Sequence, residues 1–482
     1  MTAPYPIKDR CFIDGQWRAA ADGATFAVTN PFDGSPLGEV PSMGRAETAE
    51  AITAAHKAFA GWRATTAAER SALMFKLADL MVQHQDALGR LLTLEQGKPL
   101  AEAKGEVGFG AAYIRWFAEE AKRVYGDIIP TPWKGRRILV TKEPVGVVGA
   151  ITPWNFPNSM IARKLGAAMA AGCTMVIKPA SQTPYSALAI ADLAEQAGFP
   201  AGVINVITGS AAAIAQEMCE NPRLRKITFT GSTEVGKRLA SQATAHMKRV
   251  SMELGGNAPF IVFEDADLDA AVQGAMISKY RNSGQTCVCT NRFLVQAGVH
   301  DAFVEKLAVA VKSLKLGSGL EADVTQGPLI DTGAAQKVEA HLADAVAKGA
   351  RVVTGGGASS LGGSFFEPTI VVGAHPDMLL AEDETFGPVA AVFKFDTEAE
   401  ALALANATEY GLAAYVYTRD LGRAFRAMEA LEYGLVGVNE GLITTEVAPF
   451  GGMKDSGFGK EGSHYGVDDY VNLKYACIGG LG

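Results

Sequence analysis

The chain has 482 residues, of which 48% are hydrophobic and 20% are charged, and its formal net charge is −8. This length predicts two or three domains, because single hydrophobic cores stop growing at about 250–300 residues. The acidic balance argues against nucleic acid or an anionic membrane surface as a partner, since both require a concentrated basic face.

The first residues, MTAPYPIKDR, lack the apolar segment that is typical of a secretory signal. The longest uncharged apolar run, from about 166 to 177, is shorter than the ~20 residues that a membrane-spanning helix needs. Six cysteines in a chain of this length do not form a disulfide framework. We therefore predict a reduced, cytoplasmic protein.

Residues 45–122 are predicted to be mostly helical, with one helix over 71–88, because apolar residues recur at spacings of three and four. From about residue 143 the pattern changes to short runs rich in Val and Ile that alternate with helical segments. This alternation is typical of a buried parallel sheet with helices on its faces. Since a second such set follows, we predict an α/β fold of two doubly wound lobes, divided near residues 255–256.

Polar residues and glycines follow several of these strands, at the ends where parallel sheets bind their ligands. Gly231 and Ser232 open the segment GSTEVG, which resembles a phosphate-binding turn with backbone amides at a helix N-terminus. The inner glycine of G-x-G-x-x-G is absent, so an ordinary strand-to-helix turn remains the alternative. Lys178 ends another strand and suits ribose or phosphate oxygens, unless it is only a solvated charge.

Glu253 lies in the segment MELGGN, between two apolar residues and before a pair of glycines. A partly desolvated carboxylate there would have a raised pKa, which suits proton abstraction. The alternative is a solvated carboxylate at the end of a strand.

Two cysteines stand one residue apart in NSGQTCVCTNR, at positions 287 and 289. They could pair, bind a metal ion, or divide into one reactive thiol and one neighbour. A lone C-x-C supplies at most two of the four ligands of a tetrahedral site, and the sequence has no C-x-x-C or H-x-x-x-H to complete it. We therefore expect no metal.

Seven motifs occur in one order along the chain: TPWNFP, IKPASQTP, FTGSTEVG, MELGGN, GQTCVC, ETFGPV and PFGGMKDSGFGKEG. With this ordered set the sequence resembles the NAD(P)-dependent aldehyde dehydrogenases, from about Phe12 to the end. The resemblance implies that Cys287 is the nucleophile and Glu253 the general base. It also implies that Asn155 and the backbone N–H of Cys287 form the oxyanion hole.

The same resemblance implies a dinucleotide site. Lys178 and Glu384 would contact the riboses, Gly231 and Ser232 the pyrophosphate. The further residues expected at the cofactor are Trp154, Pro179, Ala180, Ser181, Leu254 and Phe386. Many members that prefer NAD carry a glutamate where this chain has Ser181, so we expect NADP to be preferred and NAD to be possible.

Within the family, the sequence most resembles the succinate-semialdehyde dehydrogenases. In that subfamily, arginines that match Arg163 and Arg281 bind the far carboxylate of the substrate. Thr444 and Thr445 stand where serines are common, and a hydroxyl at Thr444 would reach the same carboxylate. Each arginine could instead pair with an acid or face solvent. Glutarate semialdehyde, one methylene longer, is the competing substrate, because one methylene changes discrimination by only ~1–3 kcal/mol.

The resemblance also implies a domain plan. Residues 1–122 and 144–254 would bind the dinucleotide, 255–462 would be catalytic, and 123–143 with 463–482 would be oligomerisation strands of a homodimer or homotetramer. Cys289 is either a small packed residue or the partner of Cys287 in a reversible disulfide. A CoA-acylating or phosphorylating enzyme is the alternative chemistry, and the presence of Glu253 favours water as the acyl acceptor.

Overall fold

The computed structural model describes residues 3–481 of the chain. The strands in chain order are β1 (Cys11–Ile13), β2 (Gln16–Arg18), β3 (Thr25–Thr29), β4 (Pro36–Pro41), β5 (Asp127–Ile129), β6 (Arg137–Pro144), β7 (Val147–Ile151), β8 (Thr174–Lys178), β9 (Ile204–Val206), β10 (Leu224–Thr230), β11 (Arg249–Glu253), β12 (Ala258–Val262), β13 (Thr290–Gln296), β14 (Arg351–Thr354), β15 (Thr369–Val372), β16 (Val389–Phe395), β17 (Ala413–Tyr417), β18 (Leu435–Val438), β19 (Gly457–Phe458) and β20 (Val471–Ile478).

Helices connect these strands. They are α1 (Arg45–Arg63), α2 (Ala67–Gln83), α3 (Gln85–Gln96), α4 (Leu100–Glu120), α5 (Ser159–Ala171), α6 (Tyr185–Ala197), α7 (Ala211–Glu220), α8 (Thr233–Thr244), α9 (Leu268–Tyr280), α10 (His300–Lys312), α11 (Thr332–Ala347), α12 (Leu379–Glu382), α13 (Glu398–Asn406), α14 (Leu421–Ala430) and α15 (Tyr465–Asp468).

The helix predicted over 71–88 is divided in the structure. α2 ends at Gln83, and α3 starts at Gln85 after His84 leaves helical geometry with φ −100° and ψ 14°. Apolar spacing continues through this break, so periodicity alone could not reveal it. α3 ends at Gln96 and is followed by Gly97, whose φ of 95° is left-handed, and Pro99 precedes the first residue of α4.

The first large sheet has the order β19-β11-β10-β7-β8-β9-β1-β2, with parallel pairing from β11 to β9. Its register aligns the carboxyl ends of four strands: Ile151 is opposite Lys178 and Phe229, and Thr230 is opposite Glu253. Loops that follow these residues therefore meet at one edge, which is where open parallel sheets bind ligands.

The second large sheet has the order β14-β15-β16-β13-β12-β17-β18 and is parallel except for β14. The first strand of this sheet along the chain is β12, so residues 254–257 connect β11 of the first sheet to β12 of the second. Late in the chain, β19 returns to pair with β11 of the first sheet. The prediction of two α/β lobes is confirmed.

A third sheet of order β20-β6-β5 is antiparallel and unites the two segments that the resemblance identifies as oligomerisation strands. Apolar side chains cover its outer surface. Ile128 is 77% exposed, and Leu473 is 68% exposed. Among residues 3–481, none of the helices combines the length and the hydropathy that a bilayer crossing requires.

Candidate active site

Two cavities meet at Cys287. One has a volume of about 300 Å³ and the other about 290 Å³, and the half-buried Cys287 lines both of them together with Met160. A reactive thiol between two chambers can face a different molecule on each side. The first cavity is called the aldehyde cavity below, and the second the nicotinamide cavity, after the molecules that the resemblance stated above implies for them.

A left-handed turn places Cys287. α9 ends at Tyr280, and the turn Arg281–Gly284 follows, in which Asn282 and Ser283 have φ values of 51° and 55°. Gly284 is left-handed too, and a Cβ there would collide with the backbone of Gly387. Hydrogen bonds hold this turn, including Ser283 Oγ to the Gly327 carbonyl at 2.8 Å.

Asn155 lies beside the thiol, at the wall of the nicotinamide cavity. Its carbonyl accepts bonds from Lys98 Nζ at 2.8 Å and Asn282 Nδ2 at 3.1 Å, which fix its backbone. Its side-chain Nδ2 donates to the Gln285 carbonyl at 3.0 Å. An amide nitrogen carries two N–H groups, so the second is available to an oxyanion beside Cys287.

Glu253 ends β11 and is 2% exposed. Within residues 3–481 neither carboxylate oxygen has a hydrogen-bond partner. Burial raises the pKa of Glu253 well above its ordinary value, and the nearby Glu461 raises it further, while Lys164 opposes the shift. Gly451 leaves room for the carboxylate, since a Cβ there would lie 2.9 Å from Glu253 Oε1.

The side chain of Glu253 is not part of the described wall of either cavity. The charge of Glu253 nevertheless affects the pKa of the Cys287 thiol. Burial raises the pKa of Cys287 to about 12, Glu384 and Glu253 add to the shift, and Arg163 and Arg281 oppose it. The raised pKa favours the protonated form of the Cys287 thiol, so a nearby base would promote its attack. The role of Glu253 as that base stays a prediction.

Both predicted substrate arginines line the aldehyde cavity. Arg163 is 3% exposed, bonds Glu461 Oε2 at 3.4 Å, and lies over the rings of Tyr113 and Phe450 at 4.8 and 4.7 Å. Arg281 lies over Phe156 at 5.5 Å, and its buried Nε has no partner in the described chain.

Thr444 and Thr445 lie in different surroundings. Thr444 lines the aldehyde cavity, and its predicted contact with the substrate stays a prediction. Thr445 directs its hydroxyl to Glu446 Oε2 at 3.2 Å, and its carbonyl accepts a bond from Tyr113 Oη at 3.3 Å. Thr444 is therefore the residue of the pair that can contact a bound molecule.

Most of the predicted cofactor residues line the nicotinamide cavity: Trp154, Gly231, Ser232, Leu254, Glu384 and Phe386. The rings of Trp154 and Phe386 meet edge to face at 5.5 Å, and Phe386 holds a left-handed φ of 56°. Glu384 Oε1 accepts the N–H of Gly256 at 3.2 Å, and burial raises the pKa of Glu384 to about 7.

Lys178, Pro179, Ala180 and Ser181 lie apart from that cavity, along the carboxyl end of β8. Lys178 is buried, which lowers its pKa to about 8, and Ser181 is exposed. These positions are set by the strand register, since Lys178 is level with Ile151 of β7.

A third cavity lies between α7 and α8, and Ile151, Phe229 and Leu239 are among its apolar lining residues. Its volume of about 750 Å³ and its apolar walls suit a planar aromatic ring. The N-terminus of α8 borders the nicotinamide cavity, residues of the same helix line the third cavity, and the Ser232 side chain forms no capping bond. This cradle of backbone N–H groups suits a pyrophosphate, so the residues fit a dinucleotide.

Three charged residues near the site escaped the sequence prediction. Lys98, Glu102 and Glu106 recur at spacings of four residues, and both glutamates line the aldehyde cavity. Lys98 Nζ bonds Glu106 Oε2 at 2.6 Å in a fully buried pair. Glu106 Oε1 also accepts the N–H groups of Asn158 and Ser159 at 2.9 and 3.2 Å, at the start of α5. The detectable signal was the four-residue spacing of Lys98, Glu102 and Glu106, of which the two glutamates lie on α4.

Cys289 is buried behind the site. Lys279 Nζ lies 3.4 Å from its sulfur, which also bonds the Lys279 carbonyl at 3.4 Å. Both cysteines are free thiols in the structure, so a disulfide between them stays a prediction. In the described range, His, Cys, Asp and Glu side chains form no group of three that could hold a metal ion.

Known proteins are similar to this chain in sequence and in fold. The aldehyde dehydrogenase family matches residues 17–476. A glutarate-semialdehyde dehydrogenase of Pseudomonas aeruginosa is 60% identical over 475 residues, which are 98% of each chain. An Escherichia coli succinate-semialdehyde dehydrogenase [NADP(+)] is 59% identical over 473 residues, again 98% of each. The crystal structure of a Burkholderia pseudomallei succinate-semialdehyde dehydrogenase superposes with a TM-score of 0.98 at 59% identity, covering 98% of both chains. The chain therefore belongs to the aldehyde dehydrogenase family, as its ordered motifs and paired lobes indicate.

Proposed function

We propose that this enzyme oxidises succinate semialdehyde, or a close ω-carboxy aldehyde, to the dicarboxylic acid with reduction of NADP or NAD. The observation that carries the proposal is the presence of Arg163 and Arg281 in the same cavity as Cys287. A guanidinium fork binds a carboxylate bidentately, so two of them select an aldehyde with an anionic far end. The similar proteins named above act on two such aldehydes.

Catalysis begins at Cys287. Glu253 takes the thiol proton, and the sulfur attacks the aldehyde carbon to form a thiohemiacetal. Asn155 Nδ2 and the backbone N–H of Cys287 donate to the oxyanion, an interaction typically worth ~3 kcal/mol per donor. Bound NAD(P)⁺ supplies the hydride acceptor, and a thioester remains on Cys287. Glu253 releases the thiol proton to solvent and then takes a proton from water, so that the hydroxide attacks the thioester carbonyl. The carboxylic acid leaves, and the Cys287 thiolate regains a proton from Glu253.

Arg163 and Arg281 differ in the contacts that their guanidinium groups already make. Arg163 already pairs with Glu461 and is enclosed by aromatic rings, so it contributes a fixed positive charge. Arg281 has no carboxylate within 4 Å among residues 3–481 and lines the cavity. We therefore assign the bidentate contact with the substrate to Arg281. Glutarate semialdehyde is the second candidate, because a similar protein at 60% identity is named for it.

We expect kcat/KM with NADP to be at least about a hundredfold higher for succinate semialdehyde than for butanal, which has the same chain length without the carboxylate. That ratio equals ~2.7 kcal/mol, within the range for a charge-assisted bidentate contact. Arg281→Met should remove most of the ratio while keeping the side-chain packing on Phe156, and steady-state kinetics measure both. Arg351→Gln, on the exposed strand β14, is the control. Equal rates for the two aldehydes in the wild-type enzyme would refute the substrate assignment.

We infer that NADP is preferred because Lys178 and Ser181 offer a cation and a hydroxyl, with no carboxylate at position 181 to repel a 2′-phosphate. Ser181→Glu should lower kcat/KM for NADP at least roughly tenfold and leave NAD nearly unchanged, because a like charge costs at least ~1.4 kcal/mol at short range. Ser181→Gln adds similar bulk without charge and should keep the NADP preference. A wild-type preference for NAD of tenfold or more would contradict the inference.

We also propose that the chain assembles as a homodimer or homotetramer through the sheet of β5, β6 and β20. Support comes from exposed apolar side chains on this sheet, including Ile128 and Tyr475, because an unpaired apolar edge is a liability unless another subunit covers it. The predicted domain limits, with 1–122 and 144–254 for cofactor, 255–462 for catalysis, and 123–143 with 463–482 for assembly, belong to this proposal. Sedimentation velocity on Leu473→Glu tests it.

Two smaller proposals concern the cysteines. We propose a cytoplasmic location, because six cysteines in a chain of 482 residues do not form a disulfide framework, and cell fractionation tests that location.

A reversible Cys287–Cys289 disulfide would switch the enzyme off under oxidation. Peroxide inactivation that dithiol rescues equally well in the wild type and in Cys289→Ala would refute that switch.

A further inference from the structure

The turn before Cys287 holds a costly backbone conformation. Asn282 and Ser283 are consecutive non-glycine residues with left-handed φ values. Such a conformation brings Cβ close to the following carbonyl and persists only where neighbouring contacts hold it. On one side of this turn stands Arg281, and on the other stand Gln285 and Cys287. The orientation of both functional side chains therefore depends on what holds the turn.

The first contact of the turn comes from a different helix. The backbone N–H of Asn282 donates to Glu102 Oε2 at 2.8 Å, across 180 positions of sequence. Glu102 lies in the first turn of α4, and its side chain lines the aldehyde cavity. Burial raises the pKa of Glu102, and the contact needs only an oxygen acceptor that satisfies the Asn282 N–H within the strained turn.

The side chain of Asn282 connects the turn to Asn155, one of the predicted oxyanion donors. Its Nδ2 donates to the Asn155 carbonyl at 3.1 Å and to the Gln285 carbonyl at 3.3 Å. Lys98, just before the start of α4, also donates to the Asn155 carbonyl. The start of α4 thus supports the loops that carry Arg281, Cys287 and Asn155.

We propose that Glu102 is a positioning residue, whose carboxylate holds the Asn282 N–H and thereby sets the orientation of Cys287, Asn155 and Arg281. This inference rests on the proposed roles of those three residues. Glu102 does not itself exchange a proton or touch the reacting carbon. Its required property is an oxygen acceptor at the reach of a glutamate side chain.

The test compares three substitutions of Glu102 in the full-length enzyme. Glu102→Gln keeps an acceptor oxygen at the same reach without the charge, Glu102→Asp keeps the charge but is one methylene too short, and Glu102→Ala removes the acceptor. Glu119→Gln, on an exposed site of the same helix, is the matched control. Steady-state kinetics with butanal and with succinate semialdehyde separate kcat from KM, and thermal unfolding measures the stability of each variant.

We expect the Asp and Ala variants to lose roughly tenfold to hundredfold in kcat for both aldehydes, because small displacements of reacting groups cost that much. KM for succinate semialdehyde should rise more than KM for butanal, since Arg281 moves with the turn. Glu102→Gln should stay within about threefold of wild type, a rescue that reach and not charge explains. Wild-type kcat in Glu102→Asp, or equal losses in Gln and Asp, would overturn the proposal. Butanal kinetics carry this test, so it stands even if the succinate semialdehyde assignment fails.

Discussion

Replacing Cys287 with alanine is expected to lower aldehyde oxidation by about 10⁴-fold or more, for charged and uncharged aldehydes alike. Cys287 lies where the two cavities meet, and it alone of the six cysteines lines both of them in the described chain. Without the sulfur no thiohemiacetal forms, and the remaining groups can only bind and polarise the aldehyde. Removal of a nucleophile typically costs several orders of magnitude even when the rest of the site is intact. The measurement is the rate of reduced nucleotide formation at saturating aldehyde.

The matched control is Cys219→Ala, which removes a buried thiol from the wall of the third cavity, far from the reacting sulfur in the chain. It should keep turnover near wild type and alter at most the affinity for the nucleotide. NADP should still bind to Cys287→Ala, as protein fluorescence titration would show. Residual oxidation within a hundredfold of wild type would mean that a different group attacks the aldehyde.

Replacing Glu253 with glutamine is the second large effect, a loss of roughly 10²–10⁴-fold in steady-state turnover. The carboxylate lies unpaired among residues 3–481, and glutamine has nearly the same shape without the capacity to take a proton. Because the pKa of Cys287 is raised to about 12, thiol attack slows in the variant as well as thioester hydrolysis. Rapid-mixing measurements should therefore show a slower burst of reduced nucleotide and a still slower steady state.

The turnover of the wild-type enzyme is expected to depend on pH through Glu253. A general base works only when it is deprotonated, and burial together with Glu461 raises the pKa of Glu253 well above the ordinary value of about 4.3. Wild-type turnover should therefore rise with pH across that raised pKa and fall as pH drops below it. The Glu253→Gln variant should lack this acid limb. Glu264→Gln, an exposed control, should keep it. An unchanged limb in the Glu253 variant would assign the titration to another group.

Much of the site could be predicted from sequence because its chemistry lies in short motifs. Cys287, Glu253 and Asn155 each lie in one motif, and their order along the chain identifies the family. The alternation of apolar strands and helices likewise predicts two α/β lobes. Local periodicity failed where it continued across a break, as at His84, and it missed β19, a two-residue strand that exists only through its pairing with β11.

Sequence by itself determined which residue types are available for the chemistry, since the motifs are local and each carries its own side chains. Only the tertiary structure decided how they are held. The strand register aligns Lys178 with Ile151, and contacts far apart in sequence attach Lys98 to Asn155 and Glu102 to Asn282. The pairing of Arg163 with Glu461 and the burial of Glu253 have the same origin. These features depend on packing between segments that are distant in sequence, and local residue patterns do not predict such packing.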